Sequence, residues 1–485
     1  MRPSSDNRVT RWQRISELLN DAKKTRVILV LILGGLGSIP LVFLTPPFQV
    51  PDEVQHFYRA YQLSGFQVRA EVQNGDAGGT LPESLPLLVK SGVRTVQSSE
   101  YTRNGILYAV TPAPLAKTLK LASIPLNEST QQFVAFPGSA FYSPLPYLPQ
   151  ALGIALGRLF GLGPLYLFYL GRLFNCLAAL ALVGLAVNSI PAAEELVMLV
   201  GLLPMSLYLY ASLSADAAVI SCALLFTALS YSASTRGNWK TWELVTAAAA
   251  ATVFCSVKPV YAPLLLAGAV PGIFRPGKAA GVIRSHAILL AVAMGTTAGW
   301  LLFARSAMTT PLDGAHPWAQ MSLVLYHPTV LARAIGHTLG IGEIDLIFYV
   351  ETVGVFGWVS VLIQPGVVYL LPLINFVIVW ALGIRGTVER SVRHAFWCIA
   401  LVLTSAILVM TAMYLMWTHV AKNIVMGVQG RYFIPALCMA GIALMELTPR
   451  RTPAPAWRSL AIMASIIVVQ IVATDTTIIR AFHVL

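Results

Sequence analysis

Charge is scarce in this 485-residue chain: Asp, Glu, Lys and Arg make up 11% of it, against 56% hydrophobic residues. Mean hydropathy is +0.70. Such a balance excludes an ordinary soluble protein and implies a polytopic membrane protein. Nucleotide-cradling sequences are missing as well. There is no GxxxxGK[ST], no GxGxxG after a strand, and no heptad or short repeat, so work driven by bound nucleotide is not expected. The five cysteines, Cys176, Cys222, Cys255, Cys398 and Cys438, lie in apolar stretches without CxxC or Cys/His spacing. Neither a disulfide framework nor a zinc site is indicated, and the thiols read as small packing groups.

The charge that is present is unevenly placed. Net charge is +12, but Arg2, Arg8, Arg11, Arg14, Lys23, Lys24 and Arg26 crowd ahead of the first apolar run, 27–44. That cluster sets the N-terminus on the cytoplasmic side and can touch anionic headgroups, so the basic excess speaks for the bilayer and against nucleic acid. The run is long enough to cross a bilayer core. No small-residue cleavage site precedes Thr45-Pro46-Pro47 and further runs follow, so it is expected to be retained.

Those runs lie near 145–160, 164–190, 195–213, 216–234, 242–257, 259–275, 286–304, 366–384, 395–417, 432–447 and 459–479. Basic connectors at Arg236 and Lys240, at Arg275, Lys278 and Arg284, at Arg385, Arg390 and Arg393, and at Arg450, Arg451 and Arg458 all fall inside if Ser214-Ala215-Asp216 is outside. An even number of crossings must then separate residue 45 from residue 214, yet three runs lie between them. The run 145–160, with Pro144, Pro146 and Pro149 at its start and Arg158 near its end, is expected to lie in the outer interface instead. The fold class is thus an all-α polytopic membrane protein of about eleven spans. Its regions are a basic tail (1–26), a transmembrane module (27–304) with a long outer loop (45–163), a second outer loop (305–365) and C-terminal spans (366–485).

The first outer loop opens with Pro46-Pro47-Phe48-Gln49-Val50-Pro51-Asp52-Glu53-Val54-Gln55-His56-Phe57-Tyr58-Arg59. Pro51 suits the first position of a helix, Asp52 and Glu53 complement its positive end, and Gly65 can close it. Helical phase then puts Asp52, His56 and Arg59 on one face and Glu53 on the next. A well-capped surface helix is the plainer reading. Ionisable groups at a membrane edge are costly, which favours chemistry, and a carboxylate there can serve as general base toward a hydroxyl.

Other ionisable residues gather at outer span ends. Asp216 reads either as a helix cap or as a site carboxylate facing the same compartment as Asp52. In Lys258-Pro259-Val260-Tyr261 the lysine either snorkels or holds an anion. In Gln429-Gly430-Arg431-Tyr432-Phe433, Arg431 at the start of a span suits a phosphate, against the alternative of an interfacial arginine in an aromatic belt. Arg172, inside an apolar span, needs a partner such as Asp52, Asp216 or a lipid phosphate. His316, His327 and His337 lack metal-ligand spacing. No cofactor is fixed by these residues, and a divalent metal stays open. Two carboxylates and several cations at one face suit an anionic lipid substrate and a hydroxyl acceptor.

The segments PPFQVPDEVQHFYRAYQLSG, FYSPLPYLPQALG (141–153), YLGRLFN (169–175), SLSAD (212–216), KPVY (258–261) and QGRYFIP (429–435) resemble the bacterial membrane proteins grouped as domain of unknown function 2142. That family in turn resembles the GT-C glycosyltransferases, whose first outer loop carries acidic catalytic residues and juxtamembrane helices. The resemblance implies a polyprenyl-phosphate-linked sugar as donor and a glycan or lipid-linked acceptor. The reaction would be an inverting transfer at the outer face of the bacterial inner membrane. It implies catalytic roles for Asp52 or Glu53, with helical phase favouring Asp52 as base. Phosphate binding would fall to Lys258, Arg431 and Arg172, with His56, Arg59, Asp216, Tyr261 and Tyr432 lining the site. A transporter or flippase for a lipid-linked saccharide is the alternative; inverted repeats and mid-membrane charges would mark it, and neither stands out here.

Overall fold

The computed structural model describes residues 22–92, 96–102, 105–110, 115–190, 193–269, 279–308, 315–340, 347–358, 360–363, 391–448 and 456–483. The chain folds as a helical bundle of α1 (Ala22–Leu44), α2 (Glu53–Ser64), α3 (Leu148–Leu159), α4 (Pro164–Ser189), α5 (Glu194–Gly201), α6 (Pro204–Tyr210), α7 (Asp216–Arg236), α8 (Thr241–Val257), α9 (Ala279–Phe303), α10 (Pro317–Tyr326), α11 (Pro328–Thr338), α12 (Ile347–Gly354), α13 (Val392–Met416), α14 (Ile434–Leu447) and α15 (Ala456–Phe482). A 3-10 helix, Pro259–Ala269, follows α8.

Among the described residues, seven helices are long and apolar enough to cross a membrane: Lys23–Leu44, Pro164–Ser189, Asp216–Arg236, Ala280–Phe303, Val392–Met416, Gly430–Leu447 and Met463–Phe482. The architecture is that of a polytopic helical membrane protein. Of the other expected spans, 366–384 lies outside the described residues. The apolar segments of α8 and of the 3-10 helix are each shorter than a full span. The run 195–213 is not one rod. It breaks between α5 and α6, where Pro204 starts a new helix and cannot donate to the preceding turn.

Helix α7 forms the centre of the bundle. Its whole apolar span is buried, and it packs on α4, α8 and α14. Helix α1 is flanked by α4 and α15. Two ends are defined by contacts across these helices. At one end the Arg26 guanidinium meets Glu195 at 2.9 Å. At the other, His483 Nε2 lies 2.6 Å from the Leu44 carbonyl oxygen, so α15 finishes beside the end of α1. Helix α3 also belongs to this second end, since Arg158 donates to Ser64 Oγ of α2. Twelve residues make α3 about 18 Å long, too short to cross a core of about 30 Å. It shows an exposed stripe of Leu148, Leu152, Leu156 and Leu159, the pattern of a helix lying in an interface.

The first long loop also contains strands, which helical periodicity did not foreshadow. β1 (Glu71–Gln73), β2 (Asp76–Pro82) and β3 (Gln131–Ala135) form an antiparallel sheet in the order β1-β2-β3. The β1–β2 connection is the two-residue turn Asn74-Gly75, with φ of 52° and 90°. Asn-Gly is the pair that such a turn favours, so a hairpin signal was present in the glycine-rich stretch 75–79.

Candidate functional site

The site is built at the end of the bundle shared by Leu44 and His483, around the turn that leads into α2. Helix α2 starts at Glu53, two residues later than Pro51 at its first position would require. Asp52 stands before it in the left-handed region, φ 63°, and makes no side-chain cap. An L-residue held there is strained by its Cβ, though aspartate tolerates the conformation better than most. Regular helical phase therefore does not extend to Asp52, although its charge still reaches His56.

Glu53 turns into the protein. Its side chain and that of Arg172 are both fully buried, and they pair through Nε–Oε1 at 2.8 Å and NH2–Oε2 at 2.7 Å. The remaining lone pairs of Glu53 accept from the Phe48 and Leu213 backbone N–H groups. Arg172 also donates to the carbonyls of Val42, Thr45 and Pro46. Every edge of the pair is occupied, so the geometry withdraws Glu53 from the catalytic candidates and Arg172 from the phosphate ligands. Three residues along α4, Asn175 donates to the Ser212 carbonyl at 2.7 Å. YLGRLFN is thus a bracket whose two polar side chains hold both loops of the site.

Arg59 is bonded to the protein through both terminal nitrogens, its Nε alone having no partner among the described residues. Fully buried, it donates to Gln62 Oε1 and to the Val68 and Tyr142 carbonyls, pinning the chain after α2. His56 is buried and its Nδ1 lies 2.7 Å from the Tyr147 hydroxyl. Burial holds its imidazole down to about 4, against the upward pull of Asp52 and Asp216. It is therefore neutral at physiological pH.

The remaining candidates do converge. Asp216 is the first residue of α7, whose N-terminal turn is tied by Ser214 Oγ rather than by the aspartate. Its carboxylate is free to take Lys258 Nζ at Oδ1 and to approach Arg431 Nε to 3.5 Å at Oδ2. Lysine 258 does not merely snorkel: besides Asp216, it lies 4.2 Å from the centroid of the Tyr432 ring. Tyr261 is buried and donates to the Tyr432 carbonyl at 2.6 Å, which fixes that ring. Arg431 points its NH2 toward Asp52 Oδ2 at 3.8 Å. With its side chain 46% exposed, Asp52 is the one carboxylate of the site that faces outward.

Two residues of weight here were not singled out by sequence reasoning. Glu351, on α12, accepts from the Gly430 N–H at 2.7 Å. A Cβ on Gly430 would meet the Phe348 carbonyl oxygen at 2.2 Å, so only glycine lets α12 hold the turn that aims Arg431. Tyr147 orients His56; its signal was the proline-rich 141–153 segment. A narrow cleft with room for no more than a water molecule, lined by Pro51, Tyr208, Glu351, Gln429 and Arg431 among others, opens beside the guanidinium. Among the described residues, no group of three or more His, Cys, Asp or Glu is arranged to hold a metal ion.

The resulting constellation is an exposed carboxylate facing a cation pair held by a second, buried carboxylate. It can deprotonate a hydroxyl and stabilise an anion side by side. A family profile described as predicted membrane protein (DUF2142) matches residues 36–440 of the chain, a stretch that contains all of these residues. No curated protein matches the chain.

Proposed function

This chain belongs to the DUF2142 family of predicted membrane proteins, and from that premise we propose that it is an inverting glycosyltransferase. It takes a sugar from a polyprenyl-phosphate donor to a glycan or lipid-linked acceptor at the outer face of the bacterial inner membrane. The N-terminus is cytoplasmic, about eleven spans cross the bilayer, and the Asp52 end of the bundle faces the periplasm or exterior.

The observation that carries this reading is the outward Asp52 carboxylate beside Arg431, with Lys258 brought to the same end of the bundle by the Asp216 carboxylate it shares with Arg431. The acceptor hydroxyl oxygen attacks the anomeric carbon, the bond to the donor phosphate breaks, and the proton passes to Asp52. The polyprenyl phosphate leaves as an anion, and its growing charge is met by Arg431 and Lys258. A phosphate is already a fair leaving group, so no acid is needed at that side. Asp216 keeps the two cations in register, and the lipid tail lies along the span surfaces.

Lipid extracts of cells with and without the gene test this. Loss of the gene should leave a polyprenyl-phosphate sugar accumulated on the outer face, where added reagents reach it. No accumulated lipid would remove the proposal. The transporter reading draws on one observation, the half-buried Asp475 inside the last span, whose Oδ1 has no hydrogen-bond partner. A flippase would leave the accumulated lipid confined to the inner face.

A further inference from the structure

Helices α10 and α11 form a hairpin with opposite habits. Helix α11 is conventionally amphipathic: Ala334 and Thr338 face inward, Val330, Leu331 and Ile335 pack against the cluster around Met410 and Tyr414, and Arg333 and His337 are exposed. Helix α10 is turned inside out. Its fully buried residue is polar, Gln320, whose Oε1 accepts from the Ala421 N–H at 3.0 Å. Val324 packs on the same cluster as α11, but three large apolar residues point away from the protein, with Trp318 80%, Leu325 74% and Tyr326 80% exposed. Residues 317–326 include no charged side chain.

An outward apolar face with an inward amide is wrong for water and right for hydrocarbon. We propose that α10 is immersed in the bilayer interface at the Asp52 end, with Trp318, Leu325 and Tyr326 among the lipids and α11 on the water side. The occupant is lipid because the face continues one already committed to it. Helix α10 packs on α13, a candidate span whose Leu403, Ile407 and Met416 are exposed. The Gln320–Ala421 contact sets α10 level with the end of that span, the depth at which Trp and Tyr are favoured. The segment 305–365 is then not wholly a loop in water. Nothing in this inference depends on the glycosyltransferase reading.

The test uses the full chain in phosphatidylethanolamine–phosphatidylglycerol nanodiscs, with the five native cysteines replaced and single cysteines introduced as Trp318→Cys, Leu325→Cys and His337→Cys. Fluorophores at 318 and 325 should be quenched by lipids brominated on their acyl chains and should show blue-shifted emission. Labelling there by a charged thiol reagent should be lost, while 337 should label freely and escape quenching. Free labelling at 318 and 325 overturns the proposal. So does shielding of both positions from the charged reagent without lipid quenching, as beneath a protein partner.

Discussion

Asp52 and Glu53 leave one turn in different directions, and each meets an arginine. The Glu53–Arg172 pair is fully buried, bidentate, and ringed by five backbone groups. The Asp52–Arg431 pair is separated by 3.8 Å and its carboxylate is 46% exposed. A group whose lone pairs are all taken can hold a loop but cannot accept a substrate proton. A group left half open to the end of the bundle can. The left-handed backbone at Asp52 produces the division, since it swings one carboxylate outward while α2 begins with the other inward.

The largest expected effect breaks the closed pair. Arg172→Ala leaves Glu53 buried without its counter-charge, and the loss should be about 3–5 kcal/mol of stability. Thermal unfolding in detergent reads it, and a folded variant of wild-type stability would contradict the brace. Combining Arg172→Met with Glu53→Gln should cost less than Arg172→Ala alone, because no bare charge remains.

Acid offers the next test, on the open side. His56 is held down to about 4 by burial, whereas in the unfolded chain it titrates near 6.5. Protons therefore bind the unfolded state more readily as pH falls from about 6.5 to about 4. Stability contributed by the neutral ring is present above that window and lost through it, on the order of 3 kcal/mol. Unfolding measured across that range should show the slope, and His56→Gln should flatten it. An unchanged slope in His56→Gln would assign the acid sensitivity elsewhere.

Smaller effects belong to the two cations that Asp216 holds, Arg431 of the open pair and Lys258. Arg431→Ala and Lys258→Ala should each raise the apparent donor KM, by roughly 10–100-fold for a lost charged hydrogen bond. Arg431→Lys should fall between, since an ammonium cannot reproduce the guanidinium fork. Because both cations balance the buried Asp216, the alanine variants should also lower the unfolding temperature, and donor KM is compared among folded preparations. Unchanged donor kinetics in both alanine variants would take the phosphate out of this site.

Much of this was legible in the residues. The membrane class follows from composition, and the in-plane reading of 145–160 agrees with a short α3 showing a leucine stripe. The meeting of Asp52, Asp216, Lys258 and Arg431 was foreshadowed by their shared place at span ends. What was not legible depends on backbone geometry. A left-handed aspartate leaves no mark in the sequence, and helical phase gave no sign that Arg59 braces a loop. The partner of Arg172 was sought in Asp52, Asp216 or a lipid phosphate, and it is Glu53, the neighbour of the first. The break at Leu202-Leu203-Pro204 had its proline in view, yet hydropathy averages across it.

The most direct measurement compares Asp52→Asn with Glu53→Gln in one preparation, following sugar transfer and thermal unfolding together. Asp52→Asn keeps the shape and removes the basicity, so transfer should fall by roughly 10²–10⁴-fold with the unfolding temperature unchanged. Glu53→Gln should chiefly lower the unfolding temperature. A stable Asp52→Asn protein that transfers sugar at the wild-type rate would contradict the assignment of chemistry to the open pair.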